Sequence, residues 1–415
     1  MGVAPSTVVI GGGIVGVCCA LYLQREGHNV TLVDAAEPGE STANWSCGQM
    51  AVSEIVPLSK PGILKKIPGW MLDQRGPLAL RPTAVPALLP WMMRFLANAR
   101  RSRIETIAKE LASLTSKVYQ DYESLFEHCE DKALLGSQPT LEVFDTPAGL
   151  AHEQAYIALR RELGFKVESL GAGEIGEIEP ALAGKFSHGL LLSDWRTVRD
   201  TKGFIAALTK RFVDQGGTRL QESVKRIESS QGKATGIRLE SGRAVALDQL
   251  VVAAGNGSKR FFDALGVKVP LIGIGGYQAV VRHGGVELKH ATVYADGGFL
   301  FVPMTRGLQI GGTIEFAGDD AEPNYERARI ILEKAKRILP SLDTSDVEFG
   351  AGFRPFLPDT KPVIDKSPKL ANAAMAFGHG QLGLTLGATT GRLIADLLQG
   401  RRSAEDISPF RASRF

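Results

Sequence analysis

The chain has 415 residues, with 48 lysines and arginines against 45 acidic residues and a formal charge of +3. At 44% hydrophobic and 22% charged it is too apolar for a disordered chain and too evenly charged for a nucleic-acid binder. Its length excludes a single small module and predicts two or three domains at roughly 150 residues each. Glycine is in excess, 47 residues against a usual share of about 7%, with no collagen-like period, so the positions of the glycines carry the information.

Cys18, Cys19, Cys47 and Cys129 form no C-x-x-C pair and are too few for a disulfide framework. A reduced, cytoplasmic protein without a metal site is expected. The apolar N-terminal run has no basic segment before it and is broken by glycines, so it does not read as a signal peptide. No uninterrupted apolar run is long enough to span a bilayer. The nearest, 84–97, is interrupted by Pro86, Pro90 and Arg94 and followed by Arg100, Arg101 and Arg103. It predicts at most a peripheral contact with the inner face of the membrane, or else a buried loop and helix beside a solvated basic face.

In chain order, 7–10 reads as a buried strand, 17–26 as a helix stopped by Gly27, and 30–33 as a second strand closed by Asp34. Residues 57–90 are rich in proline and glycine and read as largely irregular. One helix is predicted over 104–127, with Ile104, Ile107, Leu111, Leu114, Val118, Tyr122 and Leu125 on one stripe. A strand at 141–144, a helix at 147–163, a strand at 189–192 and a helix at 201–215 follow. Residues 219–227 and 235–239 read as hairpin strands and 249–253 as a buried strand. Further strands are predicted at 274–281, 298–303, 308–313 and 373–377, with helices at 324–339 and 384–399.

The run GGGIVG at 11–16 places Gly11, Gly13 and Gly16 between a strand and a helix, and Asp34 ends the next strand. This is the context of a dinucleotide fingerprint: a tight turn at Gly11, a pyrophosphate at the helix N-terminus by Gly13, Ile14 and Val15, and close packing at Gly16. The motif by itself suits FAD or NAD. The chain then leaves for a proline-rich loop and a long helix, and strands suited to the same sheet return only near 249–255 and 373–377. That discontinuity favours FAD, with an NAD-linked dehydrogenase as the alternative.

Four stretches together resemble the FAD-dependent D-amino-acid dehydrogenases and oxidases, relatives acting on D-proline or hydroxyproline included. They are the fingerprint, ESTANWSCGQ at 40–49, GFRPFLPDTKPVI at 352–364 and GHGQLGLT at 378–385. Asp34 stands where many relatives have glutamate, and Trp45 and Cys47 where smaller residues are common. The resemblance implies an α/β fold. A discontinuous Rossmann-like FAD-binding domain (1–58, 196–270 and 346–415) joins a substrate domain of antiparallel sheet and helices (59–195 and 271–345).

It also implies FAD contacts from Ser41, Thr42, Gly48 and Gln49, from Val224, Ala254 and Gly255, and from Gly378, His379, Gly380, Leu382, Gly383, Leu384 and Thr385. Ser41 and Thr42 also read as a plain turn, and Val224 as plain core. Arg354 is the expected anchor for a substrate carboxylate, since a guanidinium matches it with two parallel hydrogen bonds. Tyr277 is expected to share that carboxylate, or else to be a half-buried strand residue. Gln49 and His379 join the catalytic set, with space-filling as the alternative for His379. Arg199 is a weaker candidate for the pocket, and Cys47 reads as a small buried residue rather than a covalent flavin link. The implied reaction is hydride transfer from an amino or imino acid to the flavin, giving an imine or keto acid. A FAD-holding subunit of a multi-subunit amine or opine dehydrogenase is a further alternative. The electron acceptor (quinone, oxygen or a partner subunit) is open, and no nucleic-acid partner is expected.

Overall fold

The computed structural model describes residues 4–61, 75–126, 134–318 and 321–415. The chain opens with β1 (Ser6–Ile10), α1 (Ile14–Arg25) and β2 (Asn29–Val33). Helices α2 (Val85–Ala97), α3 (Arg101–Thr115) and α4 (Val118–Leu125) follow, then β3 (Thr140–Phe144), α5 (Pro147–Glu162), β4 (Val167–Gly171), β5 (His188–Leu192) and α6 (Thr201–Asp214). Next come β6 (Thr218–Leu220), β7 (Val224–Ser230), β8 (Lys233–Leu239), β9 (Gln249–Val252), β10 (Ile272–Val281), β11 (Ala291–Tyr294), β12 (Phe299–Met304) and β13 (Gly307–Phe316). α7 (Glu326–Ile338), β14 (Val347–Phe356), β15 (Val363–Lys366), β16 (Ala373–Phe377) and α8 (Gly383–Gln399) close the series.

Six strands form one sheet in the order β15-β16-β9-β1-β2-β6. All neighbours are parallel except β15 and β16. In β1, Val9 packs into a core with α1 and α8, while Val8 and Ile10 join a second core with the β7–β8 hairpin. A strand covered on both faces needs no polar alternation, which is why 7–10 is an unbroken β-branched run.

The second sheet runs β14-β10-β13-β12-β11-β3-β5-β4. It is antiparallel except where β11 meets β3 and where Leu78–Leu80 pairs with β13. On one face Ile331, Ala335 and Leu339 pack on Val281, Phe301 and Ile310. The opposite face carries Gln278, Gly311, Leu300, Val293 and Glu142 in one continuous register across β10, β13, β12, β11 and β3.

Several elements differ from the sequence expectation. The predicted helix 104–127 is two helices with a break at Ser116 and Lys117. The turn brings α4 onto α8, where the Tyr122 hydroxyl donates to the Leu384 carbonyl at 2.6 Å and Arg392 pairs with Asp121 at 2.8 Å. Residue 127 and Cys129 lie outside the described residues.

The stretch 57–90 is less irregular than expected where it is described. It contains the Leu78–Leu80 strand and the start of α2, which runs through Pro90. Leu88, Trp91 and Phe95 bury one face of α2 against Ile274, Phe316 and Phe356, and that burial offsets the hydrogen bond that Pro90 cannot make. The predicted strand 219–227 splits, its first part joining the parallel sheet and its second pairing with β8. β14, predicted within the cofactor-binding segment from 346 onward, pairs with β10 along its whole length, so the chain crosses between the sheets only after Phe356.

Candidate active site

Both sheets and the helices between them face one cavity of about 810 Å³. That is near the upper end of ordinary ligand pockets and larger than a small amino acid requires.

At one end the backbone dominates. Gly13 precedes α1 and Leu382 precedes α8, and neither start is capped by a side chain or has an acidic residue in its first turn. Their free N–H groups and partial positive charge suit an anion or an electron-rich ring edge. Gly11, Gly13, Ile14 and Val15 line this end, with Ser41, Thr42, Val224, Ala254, Gly255, Gly380, Gly383 and Leu384. A side chain on Gly16 would collide with the Gly11 carbonyl, so α1 can sit this close to the turn only with glycine there. Asp34 also lines the cavity; its carboxylate accepts from the Gly12 N–H at 2.6 Å and the Ala36 N–H at 2.8 Å.

The other end is built from side chains. Arg354, on β14, reaches over Gly276, where any Cβ would collide with the guanidinium. Its Nη1 donates to the Thr313 carbonyl at 3.1 Å and its Nη2 to the Gly312 carbonyl at 3.2 Å. No carboxylate pairs with it among the described residues. Desolvation lowers its pKa, yet a guanidinium stays charged. The two carbonyls come from a bulge in the β10–β13 ladder between Gly275 and Tyr277. There Thr313, a β-branched residue, has a φ of 44°, a conformation costing about 1–3 kcal/mol. The strain turns both carbonyls onto the arginine.

Tyr277 does not share this position. Strand alternation puts it on the α7 face, 1% exposed, and it is not among the residues lining the cavity. Its hydroxyl donates to Glu315 and accepts from the Asn324 N–H at 3.0 Å, and Glu315 is in turn held by Arg81 at 3.0 Å. Its neighbours Gly276 and Gln278 face the cavity instead. The expectation that Tyr277 touches substrate is therefore corrected. Arg199 is exposed and lies outside the cavity.

Gln49 lines the cavity, but its amide is engaged. It donates to the Cys47 carbonyl at 3.0 Å and to Thr197 at 3.2 Å, and it accepts from Thr140 at 2.7 Å. It braces the 41–49 loop against β3. His379 lines the cavity with Nε2 at 2.9 Å from the Thr390 hydroxyl, and burial pushes its pKa down to about 3. It is therefore neutral at ordinary pH and a poor base. Gly16, Gly48, Gly378, Leu382 and Thr385, all expected to touch the cofactor, are not among the residues that line the cavity. The Thr385 hydroxyl accepts from the Ala51 N–H at 3.1 Å. Cys47 lies against Gly311, its thiol pKa raised by burial.

Asn256, in the glycine turn just after β9, donates to the Phe353 carbonyl at 2.9 Å, and its buried Oδ1 has no partner among the described residues. Other lining residues escaped the sequence reading. Gln278, Glu54, Lys60, Glu142, Glu153 and Arg160 line the sheet end. None belongs to a short motif. Only their convergence from separate strands and helices makes them a group.

The uncapped helix starts, the carboxylate closing β2 and the orphaned Asn256 oxygen fit a dinucleotide. Comparisons with known proteins agree. The family model described as "DAO: FAD dependent oxidoreductase" matches residues 6–397. The chain is 31% identical over 414 residues to a D-amino-acid oxidase of Bradyrhizobium diazoefficiens, covering 98% of both chains. It is 31% identical over 405 residues to a D-amino acid dehydrogenase of Vibrio vulnificus, covering 95% of this chain and 96% of that one. The fold is that of glycine oxidase from Geobacillus kaustophilus, with a TM-score of 0.76 at 19% identity over 99% of this chain and 100% of that one. The NAD-linked alternative gives way to these matches: the chain belongs to the FAD dependent oxidoreductase family, and its cofactor is FAD.

Proposed function

We propose that the protein oxidises the Cα–N bond of an amino or imino acid, with D-amino acids, D-proline and hydroxyproline as the first candidates, giving an imine or keto acid. The observation that carries the reading is Arg354, a desolvated guanidinium on the cavity wall whose partners among the described residues are all carbonyls. A carboxylate is the group that a planar cation in this setting lacks. The relatives' names, D-amino-acid oxidase and D-amino acid dehydrogenase, point the same way.

On this reading the α1 start, Asp34 and the 254–257 turn hold the dinucleotide part of FAD, and the α8 start faces its ring system. Bound FAD supplies the acceptor for the hydride that leaves Cα. Arg354 fixes the carboxylate, so the Cα–H bond is presented in one orientation, and positioning of this kind can supply much of the rate. His379 is too weak a base to take the amine proton, so the amine arrives deprotonated or loses its proton to water. The Gly276 backbone leaves room for the guanidinium, and the 41–49 loop packs its Trp45 on Gly350 and Gly352 of β14.

Anaerobic flavin bleaching against paired D- and L-amino acids, cyclic ones included, tests the reading. Bleaching by one stereochemical series supports it; a flavin that no amino or imino acid reduces overturns it.

The same proposal extends to location. No helix among the described residues is long and apolar enough to cross a membrane. α2, however, leaves Leu89 52% and Met93 61% exposed one turn apart, with Arg94, Arg100 and Arg101 also exposed nearby. Such a surface suits peripheral contact with anionic lipid. Flotation with anionic but not neutral vesicles, lost in Met93→Asp, supports it; no flotation with either overturns it.

A further inference from the structure

Opposite Arg354 the cavity wall ends in a group of opposite character. Glu142 lies on β3, in the register row that runs through Val293 and Leu300. The Arg354 guanidinium is seated on β13, and three strand spacings, roughly 14 Å, separate β13 from β3. Five charged side chains meet at the Glu142 end: Glu54, Glu142 and Glu153, with Lys60 and Arg160.

The charges do not balance. Lys60 is committed to Glu153, with both carboxylate oxygens at 2.7 Å. That leaves Arg160 alone between two carboxylates. Its Nη2 is 3.5 Å from Glu54 and its Nη1 is 3.6 Å from Glu142, too long for good hydrogen bonds. Arg160 is only 5% exposed, and its buried Nε has no partner among the described residues. Desolvation, with Glu54 and Glu153 nearby, raises the pKa of Glu142 against the pull of Arg160. One cation is stretched across two carboxylates on the cavity wall, and a second cation would complete the set.

We infer that this end of the cavity reads the substrate side chain, and that it selects amino acids with a long basic side chain, the ammonium or guanidinium pairing with Glu142 while Arg354 holds the α-carboxylate. The inference rests on the proposed amino-acid oxidation. A basic amino acid carries its two opposite charges at the two ends of one chain, as the cavity does in mirror order. Glycine or alanine would leave the Glu142 end unsatisfied. An acidic side chain would add a third carboxylate to Arg160, and like-charge repulsion makes that costly.

The test uses the FAD-loaded enzyme and the rate of anaerobic flavin reduction by lysine, arginine, norleucine and glutamate, in whichever stereochemical series reacts. Norleucine matches the lysine chain without its charge. The wild type is expected to favour lysine or arginine over norleucine by roughly tenfold or more in kcat/KM, the worth of a charged hydrogen bond. Glu142→Gln is expected to remove most of that ratio. Equal rates for lysine and norleucine in the wild type, or a preference for glutamate, overturn the inference and leave the oxidation itself standing. No reduction by any amino acid overturns both. The wild-type ratio decides the matter even where Glu142→Gln fails to fold.

Discussion

The two ends of the cavity are built by different means. At the α1 and α8 end the work is done by backbone: helix starts without caps, a carboxylate held by Gly12 and Ala36, and glycines where a side chain would collide. At the sheet end it is done by long side chains, Arg354 and the Glu142–Arg160 group, aimed from strands and helices far apart in sequence. Backbone recognition needs a fixed local spacing, so it leaves a motif. Side-chain recognition across a sheet needs only a register, so it leaves none. The contrast also predicts different failures, loss of cofactor at one end and loss of substrate affinity or selectivity at the other.

The largest effect is expected from Gly16→Val. The branched side chain would meet the Gly11 carbonyl and push α1 off the turn. The protein should purify with little or no flavin, read as the ratio of flavin to protein absorbance. A fully loaded Gly16→Val protein would contradict the backbone account. Arg354→Ala comes next. It should keep its flavin but lose about 2–5 kcal/mol in kcat/KM for flavin reduction, since it removes one partner of a buried charge pair. Arg354→Lys should recover part of the loss, because one ammonium cannot reproduce the two-pronged contact.

Tyr277→Phe separates the two faces of the sheet. It takes a buried hydroxyl from Glu315 and the Asn324 N–H, so about 1–3 kcal/mol of unfolding stability should go. The kcat/KM for substrate should change far less than in Arg354→Ala. A comparable loss would return Tyr277 to the substrate site.

The smallest effect belongs to His379. Its folded pKa, about 3, lies below the ordinary 6.5, so between those values the unfolded chain binds more protons. Its contribution to stability is therefore complete above about pH 6.5 and shrinks as the pH falls toward 3. Thermal midpoints of the wild type should fall faster with acid than those of His379→Gln. The pH profile of kcat/KM near neutrality should follow the substrate amine instead of this imidazole.

Much of this protein was legible from its residues alone. The 7–10 run, the glycines at 11, 13 and 16 and the aspartate at 34 act over a few residues, where the geometry of a turn and a helix start is set locally. The GFRPF segment likewise pointed to Arg354. Residues whose role depends on distant partners were misread or missed. Tyr277 follows Gly275 and Gly276 and looked like a cavity residue, yet the period of two along β10 turns it to the α7 face. The stripe through 104–127 was correctly apolar, but the need to reach α8 broke it at Ser116 and Lys117. Glu142, Arg160 and Lys60 are unremarkable on their own elements. They become a charge cluster only because β3, α5 and the segment after β2 converge on one wall. Sequence alone determined the strand, glycine turn and helix start at 7–25, where physics is local. The identity and balance of the charges at the sheet end were decided by tertiary structure, because electrostatic partners are set by distance in space and by exclusion of water, and neither is encoded at any single stretch of chain.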